Sequence, residues 1–283
     1  MPRRFVDLHT HSTASDGSFS PADVVRLADE AGMAALALCD HDTVDGLDEA
    51  IEAATKFPDM AFVPGIEVSA VFPTGTMHLL GLGIDPRGES ITALASRLRE
   101  AREQRNPRII ARLNDLGVSI TLDEVIAGMP ASARDRRVVG RMHIAETMIA
   151  KGYVRGVDEA FAKFLGAGAS AFVDKERVTP AQAIEAIRGS GGIAVLAHPV
   201  HLLCDNSAQL RRVVKELRSQ GLGGIEVYHS DHDDFMTRLC LGLARELGLA
   251  VSGGSDFHGK GKPHVTIGRP RTPLSVVSGI LER

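Results

Sequence analysis

Asp7-Leu8-His9-Thr10-His11-Ser12 is the stretch on which the reading of this chain turns. Phe5, Val6 and Leu8 predict a short apolar strand that runs straight into two histidines at i and i+2. Residues two apart on a strand point to the same side, so one strand end offers two imidazoles to one point in space. Asp16, in a Ser15-Asp16-Gly17 turn, follows closely enough to add a carboxylate. A lone His-x-His is more often incidental than metal-binding. Its meaning depends on whether the rest of the chain sends further ligands to the same place.

The segments that follow alternate strand and helix. Ser20-Pro21-Ala22-Asp23 reads as an N-cap, a proline in the first turn and an early acid, and the helix it opens ends at Gly32. Ala34–Cys39 is a continuous apolar run, as in a strand buried on both faces, and it ends in Asp40-His41-Asp42-Thr43. After a helix from Gly46 to Phe57, the run Ala61-Phe62-Val63-Pro64-Gly65-Ile66 predicts a strand that delivers Glu67. The connection around Pro73-Thr74-Gly75 is too short for a helix, so Met77–Ile84 reads as the returning arm of a hairpin with His78 at its start.

From Ser90 to Gly168 only helical patterns occur. Ser90–Leu116 is long and charged, and Pro107 should break or kink it. Thr121-Leu122-Asp123-Glu124 is a capping box, and Met142–Lys151 and Val157–Leu165 are shorter helices. Alternation resumes after Phe172. Strands over Gly192–Ala197, Gly224–Tyr228 and Ala250–Gly254 deliver His198-Pro199, His229 and Ser255-Asp256-Phe257-His258, and helices open at Thr179-Pro180, Leu210 and Phe235. About seven strands, most followed by a helix, predict an α/β fold in the form of a closed or nearly closed β/α barrel. The barrel takes residues 1–90 and 169–283, and 91–168 form a helical insertion covering the site.

Composition narrows the function classes. The 283 residues carry a net charge of −4 and are 44% hydrophobic, with two Tyr, no Trp and eleven His. That balance argues against a long nucleic-acid groove, and scarce aromatics leave few stacking platforms for single strands. No apolar run reaches membrane-span length, and the N-terminus lacks the apolar stretch of a signal peptide. Cys39, Cys204 and Cys240 are isolated and odd in number, which fits a reducing compartment, so a cytoplasmic location is expected. No glycine-rich nucleotide loop follows any strand.

In a β/α barrel the site is built at the C-terminal strand ends. Here those ends carry His9, His11, Asp16, Asp40-His41-Asp42, Glu67, His78, His198, His229, Asp256 and His258. Any one of them, taken alone, is better read as a core or surface residue; together they point to metal. Imidazole and carboxylate without a thiolate cluster suit Mn, Zn or Fe. The ligands are too many for one ion, so two or three are implied, with Glu67 as a bridge. Ions about 3.5–4 Å apart suit in-line displacement at phosphorus. Cys39, on an alternating strand end, is expected to pack in the core.

As a set these motifs resemble the polymerase and histidinol phosphatase (PHP) family of metal-dependent phosphoesterases, within the amidohydrolase-like barrels. The matching motifs are Asp7-Leu8-His9-Thr10-His11-Ser12 with Ser15-Asp16-Gly17, Asp40-His41-Asp42-Thr43, Gly65-Ile66-Glu67, Ala197-His198-Pro199 and Gly254-Ser255-Asp256-Phe257-His258. The resemblance implies a distorted seven-stranded barrel with three metals. The first would take His9, His11, Glu67 and Asp256; the second Glu67, His78 and His198; the third Asp16, His41 and His258. Asp40 would stand behind them and orient an imidazole. The inserted Gly140-Arg141-Met142-His143, Lys151-Gly152-Tyr153, Ala160-Phe161 and Leu165-Gly166 resemble the subgroup of 3′,5′-nucleotide bisphosphate phosphatases and 5′→3′ exoribonucleases.

The expected activity is therefore removal of the 3′-phosphate from a 3′,5′-nucleotide bisphosphate, such as 3′-phosphoadenosine 5′-phosphate, by metal-hydroxide attack. The alternatives are 5′→3′ trimming of very short 5′-phosphorylated RNA, and hydrolysis of histidinol phosphate or another monoester. A substrate phosphate remote from the metals needs a cationic clamp, for which Arg141, His143, Lys175, Arg137 and Arg177 are the candidates. Arg134 and Arg136 read as a solvated loop. His201 and His229 are candidates to donate a proton to the leaving 3′-oxygen or to position it, with a supporting or surface place as the alternative. His232 and His264 read as surface residues. Manganese is the expected metal, the partner a small nucleotide rather than a membrane or long nucleic acid, and the assembly a monomer or small homo-oligomer.

Overall fold

The computed structural model describes residues 4–129, 139–174, 177–276 and 278–281. Eight strands form one sheet: β1 (Phe5–Thr10), β2 (Ala35–Leu38), β3 (Ala61–Ala70), β4 (Met77–Leu82), β5 (Ile193–Leu196), β6 (Gly224–His229), β7 (Ala250–Gly254) and β8 (Thr272–Pro273). Their order is β7-β6-β5-β4-β3-β2-β1-β8. Pairing is parallel through β1, β2 and β3, antiparallel on both sides of β4, and parallel again through β5, β6 and β7. The β3–β4 hairpin expected from the short Pro73–Gly75 connection is present, with Ser69 opposite His78.

The sheet curls into a nearly closed barrel. Thr10 bridges Phe257 in parallel, the Asp256 N–H donates to the His9 carbonyl at 2.8 Å, and the His11 N–H donates to the Phe257 carbonyl at 2.9 Å. Gly254 permits the approach, because a Cβ there would overlap the backbone nitrogen and Cβ of His9. The eighth strand is a correction to the expected seven. It is two residues long and includes a proline, too short to show periodicity, and it pairs antiparallel with Phe5 and Val6.

Period-two alternation separates the core layers. Val6, Leu8, Ala35, Ala37, Cys39, Leu80, Leu82 and Val195 fill the barrel interior. Leu36, Leu38, Ile66, Val68 and Leu196 face outward, against the helices. These helices include α1 (Pro21–Glu30) and α2 (Leu47–Ala54), whose Val24, Val25, Leu47 and Ala50 join the outer layer. Ser20 caps α1 by accepting the Asp23 N–H, and Gly32, at φ 73°, turns the chain out of it.

α3 (Glu89–Asp115) runs unbroken through Pro107. Its first half packs on the barrel through Ile91, Leu94 and Leu98. Its second half enters a separate core through Ile109, Ile110 and Leu113. Burial on both sides of Pro107 holds the helix together despite the lost hydrogen bond. The second core is completed by α4 (Leu122–Gly128), α5 (Arg141–Ala150) and α6 (Val157–Ala160), which continues as a π-helical turn over Phe161–Leu165. α4 has the expected capping box between Thr121 and Glu124. α7 (Pro180–Gly189), α8 (Ser207–Ser219) and α9 (Asp234–Leu247) return the chain to the barrel. Among the described residues no helix is long and apolar enough to cross a membrane.

Candidate metal centre

The strand ends converge on one carboxylate. Glu67 Oε1 lies 2.8 Å from His78 Nδ1 and 2.9 Å from His198 Nε2. Its Oε2 lies 2.9 Å from His41 Nδ1, 3.2 Å from His11 Nε2 and 3.4 Å from His9 Nε2. β3 extends past the barrel rim, where the Asp42 N–H donates to the Glu67 carbonyl at 2.8 Å, so the bridge between the motifs is fixed by backbone. Asp256 Oδ1 sits 3.2 Å from His11 Nε2, and Asp16 Oδ1 sits 3.2 Å from His258 Nε2. The groups His9/His11/Asp256, His9/Glu67/His198, His41/Glu67/His78 and His11/Asp16/His41/His258 each bring their donor atoms within 4.8 Å of one another. All nine residues expected as ligands are thus gathered in one cluster.

The donor set fits divalent ions. His9 Nε2, His11 Nδ1 and Nε2, Glu67 Oε2, His198 Nδ1 and Asp256 Oδ1 are buried polar atoms without a hydrogen-bond partner. Such atoms are costly unless something binds them. Burial would raise the Glu67 carboxyl, yet His41, His78 and His9 outweigh it and hold it well below the usual carboxylate range. Burial likewise opposes charge on His9, but Glu226, Glu67 and Asp256 hold that imidazole well above its ordinary value. Burial alone dominates at His198, whose imidazole is pushed down to about 3. Backbone strain concentrates here too. The non-glycine residues at positive φ among those described are Asp42, His198, Leu203 and Asp256, and three of these carry site side chains.

Asp40 is placed differently from the imidazole-orienting position that the family resemblance implies. Its oxygens accept the Ser12 N–H at 2.8 Å, the Ser12 hydroxyl at 2.6 Å and the Ser15 hydroxyl at 2.6 Å. It thereby pins the turn between His11 and Asp16. Asp40→Ala is expected to lose about 3 kcal/mol of stability, since hydrogen bonds to a buried charge contribute about 1.5–3 kcal/mol each and part is regained by solvation. Urea unfolding of the metal-free protein checks this.

His229 is buried, and its Nδ1 accepts the Asp231 N–H at 3.0 Å, which puts the proton of the neutral ring on Nε2. That nitrogen faces Asp256 Oδ2 at 3.5 Å. His201 lies at the rim with Nε2 2.9 Å from Asp231 Oδ2, its ring 4.4 Å from that of His198. His232, expected at the surface, is half-buried and its Nδ1 lies 3.0 Å from the Val227 carbonyl. Cys39 packs in the barrel interior as expected, and burial pushes its thiol up.

Beside the cluster lie two adjoining, partly open cavities lined by residues of both the barrel and the 91–168 segment. A smaller one of about 180 Å³ is lined by Asp16, His41, His78, Arg102, Arg105 and Arg141. A larger one of about 710 Å³ shares His78, Arg105, Arg141 and Phe161, and adds Phe72, Phe172 and Arg177. Arg141 donates to the Leu165 carbonyl at 2.9 Å and lies over the Phe161 and Phe172 rings at 5.6 and 5.7 Å. Arg105 is buried, and its hydrogen bonds go to Asn106 Oδ1 rather than to a carboxylate. Burial, with Arg102 and Arg141 alongside, pushes it down to about 9, so it stays charged at neutral pH. Arg177 lines the larger cavity while paired with Asp174 at 2.9 Å. His143 is buried, accepts the Gly140 N–H at 3.0 Å, and lines neither cavity. Arg134, Arg136, Arg137 and Lys175 lie outside the described residues.

Similarity to known proteins agrees with this geometry. The PHP domain family matches residues 7–215. The chain belongs to the PHP family. It is a metal-dependent PHP phosphoesterase, and its relatives divide over the substrate. A 5′-3′ exoribonuclease of Haemophilus influenzae is 36% identical over 89% of both chains. A 3′,5′-nucleoside bisphosphate phosphatase of Chromobacterium violaceum is 34% identical over 91% of this chain and 88% of its own. A solved structure of a metal-dependent phosphoesterase from Bifidobacterium adolescentis superposes with a TM-score of 0.86 at 32% identity, over 98% of this chain and 95% of that one.

Several residues of this PHP site escaped the sequence reading. Glu226 lies behind His9 and His198. Lys262 pairs with Asp256 Oδ2 at 2.5 Å. Arg102 pairs with Asp42 Oδ2 at 2.5 Å and joins α3 to the loop that carries His41. Glu226 did leave a signal, as an acid inside the apolar run Gly224-Ile225-Glu226-Val227. Arg102 and Arg105 left only an i, i+3 spacing among many other charges.

Proposed function

We propose that this phosphoesterase removes the 3′-phosphate from 3′,5′-nucleotide bisphosphates, leaving 5′-mononucleotides. The observation that carries the reading is a pair of arginines that line both cavities, buried Arg105 and half-buried Arg141, whose hydrogen bonds go to Asn106 Oδ1 and the Leu165 carbonyl. A pocket lined by several arginines beside a metal cluster suits a substrate with one phosphate at the metals and a second held a few ångströms away. Arg177 supplies a third cation at the outer wall, and Phe161 and Phe172 add apolar surface for a sugar or base.

The ligands are assigned as three sets: His9, His11, Glu67 and Asp256; Glu67, His78 and His198; Asp16, His41 and His258. Mn ions suit this mix of imidazole and carboxylate, with Zn or Fe as alternatives. Divalent ions bound there lower the pKa of water and draw charge from phosphoryl oxygens. The chain's own residues do the rest. Arg141 and Arg105 orient the remote phosphate so that the scissile ester faces Glu67. His229 presents its Nε2–H toward the cluster, placed to hydrogen-bond and position the leaving 3′-oxygen. His201, held by Asp231, stands at the rim as a second donor. The three unpaired cysteines suit a reducing, cytoplasmic setting.

The exoribonuclease reading shares every one of these contacts and differs only in whether the 3′-phosphate carries more chain. Phosphate release from 3′-phosphoadenosine 5′-phosphate by the Mn-loaded protein, beside 3′-AMP, histidinol phosphate and a 5′-phosphorylated RNA trimer, separates the readings. Preference for the bisphosphate supports the proposal; preference for the trimer moves it to RNA; equal turnover of monoesters overturns the two-phosphate model. Arg141→Ala is expected to raise KM for the bisphosphate by about 10–100-fold, the loss of a charged hydrogen bond, with little change in kcat. Activity on 3′-AMP, which lacks the second phosphate, should be unchanged.

A further inference from the structure

Glu226 is fully buried in mid-β6, and both of its oxygens are committed. Oε1 lies 3.1 Å from His9 Nδ1, and Oε2 accepts the His198 N–H at 2.7 Å. His9 belongs to the first proposed ligand set and His198 to the second. The His198 backbone stands at φ 26°, a conformation L-residues seldom adopt, so its N–H bond to Glu226 holds a strained turn in place.

An ionised carboxylate only accepts hydrogen bonds, so the His9 ring must carry a proton on Nδ1. With Nδ1 protonated, Nε2 is the atom free to give a lone pair. That atom is buried, has no hydrogen-bond partner, and faces Glu67 and Asp256 at 3.4 and 3.6 Å.

We propose that Glu226 is a positioning residue that fixes the His9 tautomer for metal ligation through Nε2 while pinning the His198 turn, so that one carboxylate aligns ligands of two ions. The proposal rests on the assignment of His9 and His198 as metal ligands, and is independent of the substrate. It also moves the imidazole-orienting role from Asp40 to β6.

The chemistry makes an unusual demand on variants. In Glu226→Gln the side chain keeps its volume but offers one acceptor and one donor group. The His198 N–H is a backbone donor and cannot change, so the amide oxygen turns to it and the NH2 faces His9 Nδ1. That arrangement favours a proton on Nε2 and blocks ligation, as an amide placed behind a catalytic imidazole traps the wrong tautomer. If the amide flips, the donor clash moves to His198 instead. Glu226→Ala removes the carboxylate without introducing a donor. The isosteric variant should therefore bind metal worse than the truncated one, the reverse of the order that packing alone would give.

The test is Zn titration of the full chain and both variants, with bound Zn counted per chain and folding checked by circular dichroism. The expected result is a loss of affinity of about 10–100-fold at one or two ions in Glu226→Gln, the usual effect of disturbing a ligand's outer partner, and a smaller loss in Glu226→Ala. Nitrogen-15 spectra of the Zn-loaded parent protein, which need no variant, should show a protonated, hydrogen-bonded Nδ1 on His9. Parental Zn affinity in Glu226→Gln, a greater loss in Glu226→Ala, or His9 ligating through Nδ1 would each overturn the proposal. The expected Zn affinities in all three proteins, with no bisphosphate turnover by the Mn-loaded parent, would instead overturn the substrate reading alone.

Discussion

Glu67→Gln is expected to lower kcat by at least ~10³-fold on any phosphoester the protein hydrolyses, equivalent to about 4 kcal/mol of transition-state stabilisation. Five imidazole nitrogens lie within 3.4 Å of this one carboxylate. Among the described residues Asp256 pairs with His9 and His11, and Asp16 with His41 and His258, but neither pairs with His78 and His198 as Glu67 does. A neutral amide can neither bridge two ions nor balance the imidazoles. Bound metal per chain should fall with the activity, which metal analysis after gel filtration would show. Retention of a tenth of the parental kcat would sink the assignment of Glu67 as the bridge. The metal-free variant carries a second signature. His9 and His41 owe their raised protonation largely to Glu67 and neighbouring acids, so the variant should be destabilised more at pH 6 than at pH 8.5.

The cluster was legible in the sequence because each ligand type follows an apolar run, and in a barrel the ends of such runs meet. His9, His11, His41, His198, Asp256 and His258 stand at or just past a strand terminus, and Glu67 lies within β3 where that strand overruns the barrel rim. His78 was legible for a different reason, since the short connection around Pro73–Gly75 forces an antiparallel return that sets β4 beside Glu67. What supports the ligands was not legible. The partners of Glu226 lie on β1 and after β5, and no local pattern links an acid in β6 to either. Arg102 and Arg105 sit on a 27-residue helix whose charges alone do not say which face turns inward; the two cores that bury its halves decide that. Asp40 shows the converse limit. Its place in an Asp-His-Asp motif suggested chemistry, whereas its bonds to Ser12 and Ser15 hold a turn.

Removing the metals should abolish turnover and leave a protein whose stability peaks near pH 6.5, with a sign that can be worked out group by group. His9, His11 and His41 are raised above the ordinary imidazole value in the metal-free fold, because nearby Glu226, Glu67, Asp256 and Asp16 outweigh burial. Their contribution is fully present below the unfolded value of about 6.5 and is lost as pH rises through the folded values. His78 and His198 are lowered by burial, the latter to about 3. Their contribution is present above about 6.5 and is lost as pH falls toward the folded values. The two trends oppose each other and leave a maximum between them. Metal bound through these imidazoles would hold His9, His11 and His41 neutral and so remove the alkaline arm, while protons would compete with metal on the acid side. The gap in melting temperature between metal-loaded and chelator-treated protein should therefore widen steadily from pH 6.5 to pH 8.5. Each ion present at 100 times its dissociation constant adds about 2.7 kcal/mol of this stabilisation. Thermal unfolding at fixed ionic strength across that range provides the measurement. A gap that narrows with rising pH would mean that the imidazoles are not the groups exchanging protons for metal.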